Sequence, residues 1–186
     1  MQLFELMTVE TRPDVDNSSP ISVEMNREPI LRRAQPADIY SVRALLESCD
    51  LPHTGIEDQF EKAFLVAEQD GEIIGVAGLE RYGEHGLLRS VAVSEPHRGQ
   101  SLARSLVDRC LNEAWQLGLS DVYLLTLDAG AYFEALGFEV ISREQVAHNV
   151  TKSREFSSIC PETATVMIQY SPHLTRYHGA NRSEGD

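Results

Sequence analysis

Between Ile30 and Tyr170 the apolar positions switch between two spacings, and each switch marks an element. Ile30-Leu31-Arg32-Arg33 reads as a short strand. Pro36-Ala37-Asp38 opens a helix whose apolar face is Ile39, Val42, Leu45, Leu46 and Cys49, and Leu51-Pro52 ends it. A short helix is expected from Phe60 to Phe64. Two apolar runs, Phe64–Glu68 and Ile73–Leu79, then flank Asp70-Gly71, a pair that accepts the positive φ of a tight hairpin turn. A second hairpin turns at Tyr82–Gly86 and returns along Leu87–Val93. The period then becomes helical. Leu102, Ala103, Leu106, Val107, Cys110, Leu111, Ala114 and Leu117 form one stripe, stopped by Gly118. Val122–Thr126 reads as a buried strand and Ala129–Leu136 as a helix capped by Gly137. Phe138–Ser142 and Thr163–Tyr170 read as closing strands. Antiparallel hairpins followed by a helical crossover predict an α/β fold with a mixed, mostly antiparallel twisted sheet flanked by helices.

The same pattern sets the expected boundaries. Residues 1–28 are polar and acidic without helix or strand period and read as a disordered extension. Residues 171–186 read as a flexible tail, which leaves one domain over residues 29–170.

Charge narrows the function. The 186-residue chain carries a net charge of −13, which argues against DNA or RNA as partner, since that binding rests on neutralising phosphates. Lys62 and Lys152 are its two lysines; every other fixed cation is arginine. An acidic, lysine-poor surface suits high salt, where self-repulsion is screened. A stability curve that stays flat in KCl would remove this halophile hypothesis. No apolar run approaches the roughly 20 residues of a membrane helix, so no membrane association is expected. The first residues hold no basic stretch leading into an apolar one. Cys49, Cys110 and Cys160 show no paired spacing. Free thiols in a reducing, cytoplasmic setting are expected. No histidine joins a cysteine at ligand spacing, so no metal is expected.

Candidate chemistry concentrates after Val93. Ser94-Glu95-Pro96-His97 leads into Arg98-Gly99-Gln100-Ser101-Leu102-Ala103, a glycine-bearing turn that opens a helix. Unpaired N–H groups and the helix dipole make such a turn an anion cradle, and Arg98 and Arg104 add two cations. A basic spot in so acidic a chain suggests a pyrophosphate ligand. An ordinary helix start with exposed arginines is an equally weighted reading of this segment alone.

Leu88-Arg89-Ser90-Val91-Ala92-Val93, Arg98-Gly99-Gln100-Ser101-Leu102-Ala103 and Tyr132-Phe133-Glu134-Ala135-Leu136-Gly137-Phe138 resemble, in order and spacing, the GCN5-related N-acetyltransferase superfamily. The resemblance spans about Ile30 to Tyr170. It implies an acetyl-CoA-dependent transferase, with acetyl-CoA as co-substrate and a small-molecule amine as acceptor. Val91, Ala92 and Val93 take the positions that contact the pantetheine arm. The N–H groups of Val91 and Val93 are placed to polarise the thioester, an oxyanion-hole role worth about 3–4 kcal/mol per donor. Arg98, Gly99, Gln100, Ser101, Leu102, Ala103 and Arg104 match the pyrophosphate loop, and Leu125 and Thr126 the far wall of the slot. Two departures stand out. Ser101 replaces a glycine, and Phe133 replaces the tyrosine that serves many relatives as general acid for the leaving thiolate. Tyr132, next to it, is expected to face elsewhere and pack. These departures lean toward a second class, a non-catalytic CoA-binding sensor.

Strand alternation puts Arg89 on the face of Val91 and Val93, pointing at the acceptor end, where a guanidinium suits an acid group. Ser90 and Leu125 lie beside it. Glu80 ends the preceding strand as a candidate base; a solvated hairpin-end glutamate is the competing reading. Glu84 and His85 read as plain turn residues. Phe64–Glu68, Gly78-Leu79-Glu80, Leu87–Ser90, Leu124–Thr126 and Arg154–Pro161 further resemble the arsenic-resistance N-acetyltransferases, similar to small amino-acid acetyltransferases. That implies an acceptor with a free α-amine and an acid group. Ser153, Arg154 and Glu155 are placed to close over it, and Cys160 reads as a small buried hydrophobe. Apolar positions on sheet edges are compatible with a homodimer.

Overall fold

The computed structural model describes residues 27–173; the extension and tail expected at the two ends lie almost wholly outside them. In chain order come β1 (Ile30–Arg33), α1 (Ile39–Ser48), α2 (Phe60–Ala63), β2 (Phe64–Gln69), β3 (Glu72–Tyr82) and β4 (His85–Val93). Then follow α3 (Leu102–Gln116), β5 (Asp121–Thr126), α4 (Gly130–Ala135), β6 (Glu139–Ile141) and β7 (Thr165–Tyr170). They build one sheet in the order β1-β2-β3-β4-β5-β7-β6, parallel between β4 and β5 and otherwise antiparallel. The mixed sheet follows the hydrophobic pattern closely. At the first hairpin Asp70 and Gly71 take φ of 51° and 85°, the consecutive left-handed pair that a two-residue turn demands. The second turn is shorter than expected, because His85 already belongs to β4.

The sheet is covered on both faces. The α3 stripe, Leu106, Val107, Cys110 and Ala114 among it, packs on Leu65, Ala77, Leu88, Val122 and Leu124. Opposite, α1 and α2 cover Phe64, Val66, Val76 and Ala92. The segment 146–156 covers Leu87, Tyr123, Val166 and Ile168. Full burial of such side chains contributes about 1.5–3 kcal/mol each.

One irregularity positions the site. The β3–β4 ladder pairs Val76 with Ala92 and then Gly78 with Arg89, so β4 carries one extra residue. Ser90 absorbs it at φ 55°, in the left-handed region. The bulge breaks the alternation. Leu88, Val91 and Val93 all pack toward α3, whereas Leu87 faces the other way. Arg89, two residues from Leu87 and before the bulge, therefore does not share a face with Val91 and Val93. The alternation argument fails there because Ser90 consumes one step.

Candidate active site

Parallel pairing of β4 with β5 covers just His85–Leu87 and Asp121–Tyr123. Beyond it β4 stays with β3 to Val93, while β5 follows β7 to Thr126, so the two strands part. The joined end is fastened in two ways. His85 Nδ1 lies 2.7 Å from Oδ1 of the buried Asp121, which makes His85 more than a turn residue. Gly86 admits close contact, since a Cβ there would lie 3.0 Å from Val122 Cγ2.

The gap between the strands is a cavity of about 660 Å³, lined by residues 88–93 of β4 and 124–129 after the split. It brings together Arg89, Ser90, Val91, Ala92, Val93, Arg98, Ala103, Leu125, Thr126 and Phe133 from the expected set. Backbone polarity follows from the ladder. Ser94 donates its N–H to Ile74 O on β3 (2.9 Å), so the neighbouring Val93 N–H and C=O turn away from β3, toward the gap. The Val93 carbonyl is met there by Arg98 Nε at 3.1 Å and by the Cys49 thiol at 3.7 Å.

A second cavity of about 440 Å³ adjoins the first at the start of α3, sharing Val93, Arg98, Ala103 and Tyr132 with it and adding Gly99, Ser101, Leu102 and Arg104. Gly99 has φ 76° and Ser101, the residue before the helix, φ 61°. Glycine suits both positions. A serine at the second costs about 1 kcal/mol in backbone strain but keeps its N–H at the helix start. The cations are less directed than expected. Arg98 bends back to Val93, and Arg104 forms an exposed pair with Asp108 at 3.5 Å. Gln100 lines neither cavity; its amide reaches Pro96 O at 3.4 Å. Phe133 is buried in the α3 cluster and still borders the main cavity. Tyr132 does not face elsewhere: its ring lies against Phe133 and borders both cavities, and burial raises its phenol pKa above the usual value. A six-residue helix docked over the gap presents two adjacent positions to it, which helical spacing alone did not reveal.

At the acceptor end the structure corrects the reading of Arg89. Its side chain is only 3% exposed and its guanidinium already engaged: Nη1 donates to Glu80 Oε1 (2.9 Å), and Nη2 to Glu155 Oε1 (2.6 Å) and Thr54 O (3.3 Å). Glu80, expected as a base, is buried with both oxygens occupied, the second by the Tyr82 hydroxyl at 2.6 Å, and it does not border the cavity. Burial and this carboxylate raise the Tyr82 phenol, which stays a donor. Glu155 does border the cavity. It opens a π-helical turn, Glu155–Ile159, closed by Cys160 N–H donating to Glu155 O at 2.9 Å. Cys160 is not a core hydrophobe but lines the cavity, its thiol 3.0 Å from Glu155 Oε2. Burial, then that hydrogen bond, push the thiol up to about 12, so it remains a neutral donor. Arg154 reaches across to Asp58 at 3.0 Å, tying this segment to the loop after α1. Glu155 entered the sequence reading only as part of a covering segment; no local pattern marks a residue more than sixty positions from its partner Arg89.

Comparison with known proteins agrees with this geometry. A family model described as acetyltransferase (GNAT) family matches residues 30–138. An uncharacterised N-acetyltransferase of Chlorobaculum tepidum is 32% identical over 82 residues, 44% of this chain and 52% of the relative. An amino-acid acetyltransferase of Mycobacterium tuberculosis is 28% identical over 131 residues, 66% of this chain and 75% of the relative. The fold is shared with N-acetylglutamate synthase from Neisseria gonorrhoeae complexed with coenzyme A and N-acetyl-glutamate. The TM-score is 0.67 at 20% identity, covering 78% of this chain and 35% of that one. The chain thus spans about half the length of the first relative and about a third of the synthase.

Proposed function

The chain belongs to the acetyltransferase (GNAT) family, and on that premise we propose that it moves the acetyl group of acetyl-CoA to the amine of a small amino acid bearing an acid group. The observation that carries this is the parting of β4 from β5 into a cavity that runs on to the start of α3. An extended pantetheine fits between parted strands and a pyrophosphate fits a helix N-terminus. The residues offered to acetyl-CoA are Val91–Val93, Arg98, Gly99, Ser101–Arg104, Thr126 and Phe133. Gln100 contributes backbone alone.

The thioester carbonyl meets backbone N–H donors fixed before substrate arrives, so charge developing on its oxygen needs no reorganisation. The acceptor enters beside Arg89, with Ser90 and Leu125 as neighbours, and its acid group takes the Nη2 donor that Glu155 now holds. The name of the mycobacterial relative supports the amino-acid class. The acids to test are glutamate, aspartate, phosphinothricin and its arsenic analogue.

The test is thiol release from acetyl-CoA with each acid, at low and high KCl. Turnover with one or more is the expected result. CoA binding without thiol release from any amine would replace this reading with a CoA-binding sensor.

A further inference from the structure

Three charged side chains meet at the acceptor end, and their charges do not cancel. Arg89 supplies one positive charge and Glu80 and Glu155 two negative ones, all less than a tenth exposed. Glu80 answers Arg89 from the neighbouring strand and is capped by Tyr82. Glu155 is the surplus. Burying an uncompensated carboxylate costs several kcal/mol, so a bound cation is favoured beside it. Glu155 is also the one of the two carboxylates that borders the cavity. The substrate proposed above is an ammonium in neutral water and reacts only as the free amine.

We infer that Glu155 receives the acceptor's ammonium and takes its proton, and so is the catalytic base. This rests on the acetyltransferase reading. The acceptor's acid group replaces Glu155 on Arg89 Nη2, and Glu155 turns its released oxygen to the ammonium. One N–H bond breaks and its proton passes to the Glu155 carboxylate. The freed lone pair forms the C–N bond at the thioester carbon. The C–S bond then breaks, the sulfur leaves with its electron pair, and the second proton shed by the attacking nitrogen passes to it, so the products are the neutral amide and the free thiol. Two features suit Glu155 to this exchange. It sits on a π-helical turn, a geometry frequent at functional sites. Its second oxygen is held by the neutral Cys160 thiol, a weak donor, whereas the second oxygen of Glu80 is held by the Tyr82 hydroxyl. Glu80 is then a positioning residue that keeps Arg89 in place.

The experiment compares wild type, Glu155→Gln, Glu155→Asp and Glu80→Gln on the best amine of the panel, with kcat/KM measured from pH 6 to pH 10. General-base loss lowers rates about 10²–10⁴-fold. Glu155→Gln is therefore expected to fall at least about 100-fold at pH 7 and to approach wild type as the free amine itself accumulates at high pH. Its KM for acetyl-CoA should be unchanged, which shows an intact fold. Glu155→Asp should recover part of the rate, and Glu80→Gln should keep the wild-type shape of the profile. A Glu155→Gln rate within threefold of wild type, or a loss equal at every pH, would overturn the assignment while leaving the transferase reading intact. No turnover by the wild type with any amine overturns that reading and this assignment with it.

Discussion

The two ends of the cavity are built differently. The end near α3 is made of backbone: parted strands, left-handed residues at Gly99 and Ser101, and the open start of a 15-residue helix. The acceptor end is made of side chains drawn from β3, β4 and the turn at Glu155, joined by contacts 2.6–2.9 Å long. Backbone features follow from local sequence, tolerate substitution and suit a ligand part common to a whole family. A buried side-chain network comes from distant positions, depends on every member and suits a ligand part that varies.

The largest expected effect breaks the side-chain end. Arg89→Ala leaves Glu80 and Glu155 buried without their cation, at about 3–5 kcal/mol. For a chain of this size that lowers Tm by roughly 10 °C, measured by thermal unfolding. Overcrowding the joined end of the strands comes next. In Gly86→Val the added groups meet Val122 and Leu79, at about 1–3 kcal/mol. Acetyl-CoA KM should rise, since the angle at which β4 and β5 part is set there. At the backbone end the change should be small and favourable. Ser101→Gly removes the left-handed strain, raising stability by about 1 kcal/mol and Tm by a few degrees. Acceptor KM should not move. The smallest effect is read chemically. With its pKa at about 12, the Cys160 thiol is protonated at pH 8 and should alkylate slowly. Glu155→Gln removes a carboxylate that disfavours the thiolate, so the thiolate fraction and the alkylation rate should rise, as followed by peptide mass mapping.

The contrast also explains what could be read from the sequence. The hairpin at Asp70-Gly71, the α3 stripe and the stop at Gly118 were legible because each rests on a spacing or a residue's backbone preference. The glycine-bearing turn before α3 was legible for the same reason, and with it part of the cavity lining. The bulge at Ser90 was not, since a serine rarely takes φ 55° and nothing in Leu88–Val93 marks it. Missing it placed Arg89 on the wrong face. The Arg89–Glu155 contact spans 66 positions and has no local trace, so a free guanidinium and a Glu80 base were expected where the fold had joined both into one network. Tyr132 was misplaced because a six-residue helix over a gap exposes neighbours that a longer, packed helix would divide.

The central claim is that the parted face of β4 is where the cofactor's arm lies. Hydrogen exchange of backbone amides with and without CoA tests it most directly. Slowed exchange at Val91, Val93 and the residues 99–104, with no change over His85–Leu87 where β4 already pairs with β5, is the predicted result. Protection confined to other segments, with Val91 and Val93 exchanging as before, would contradict it.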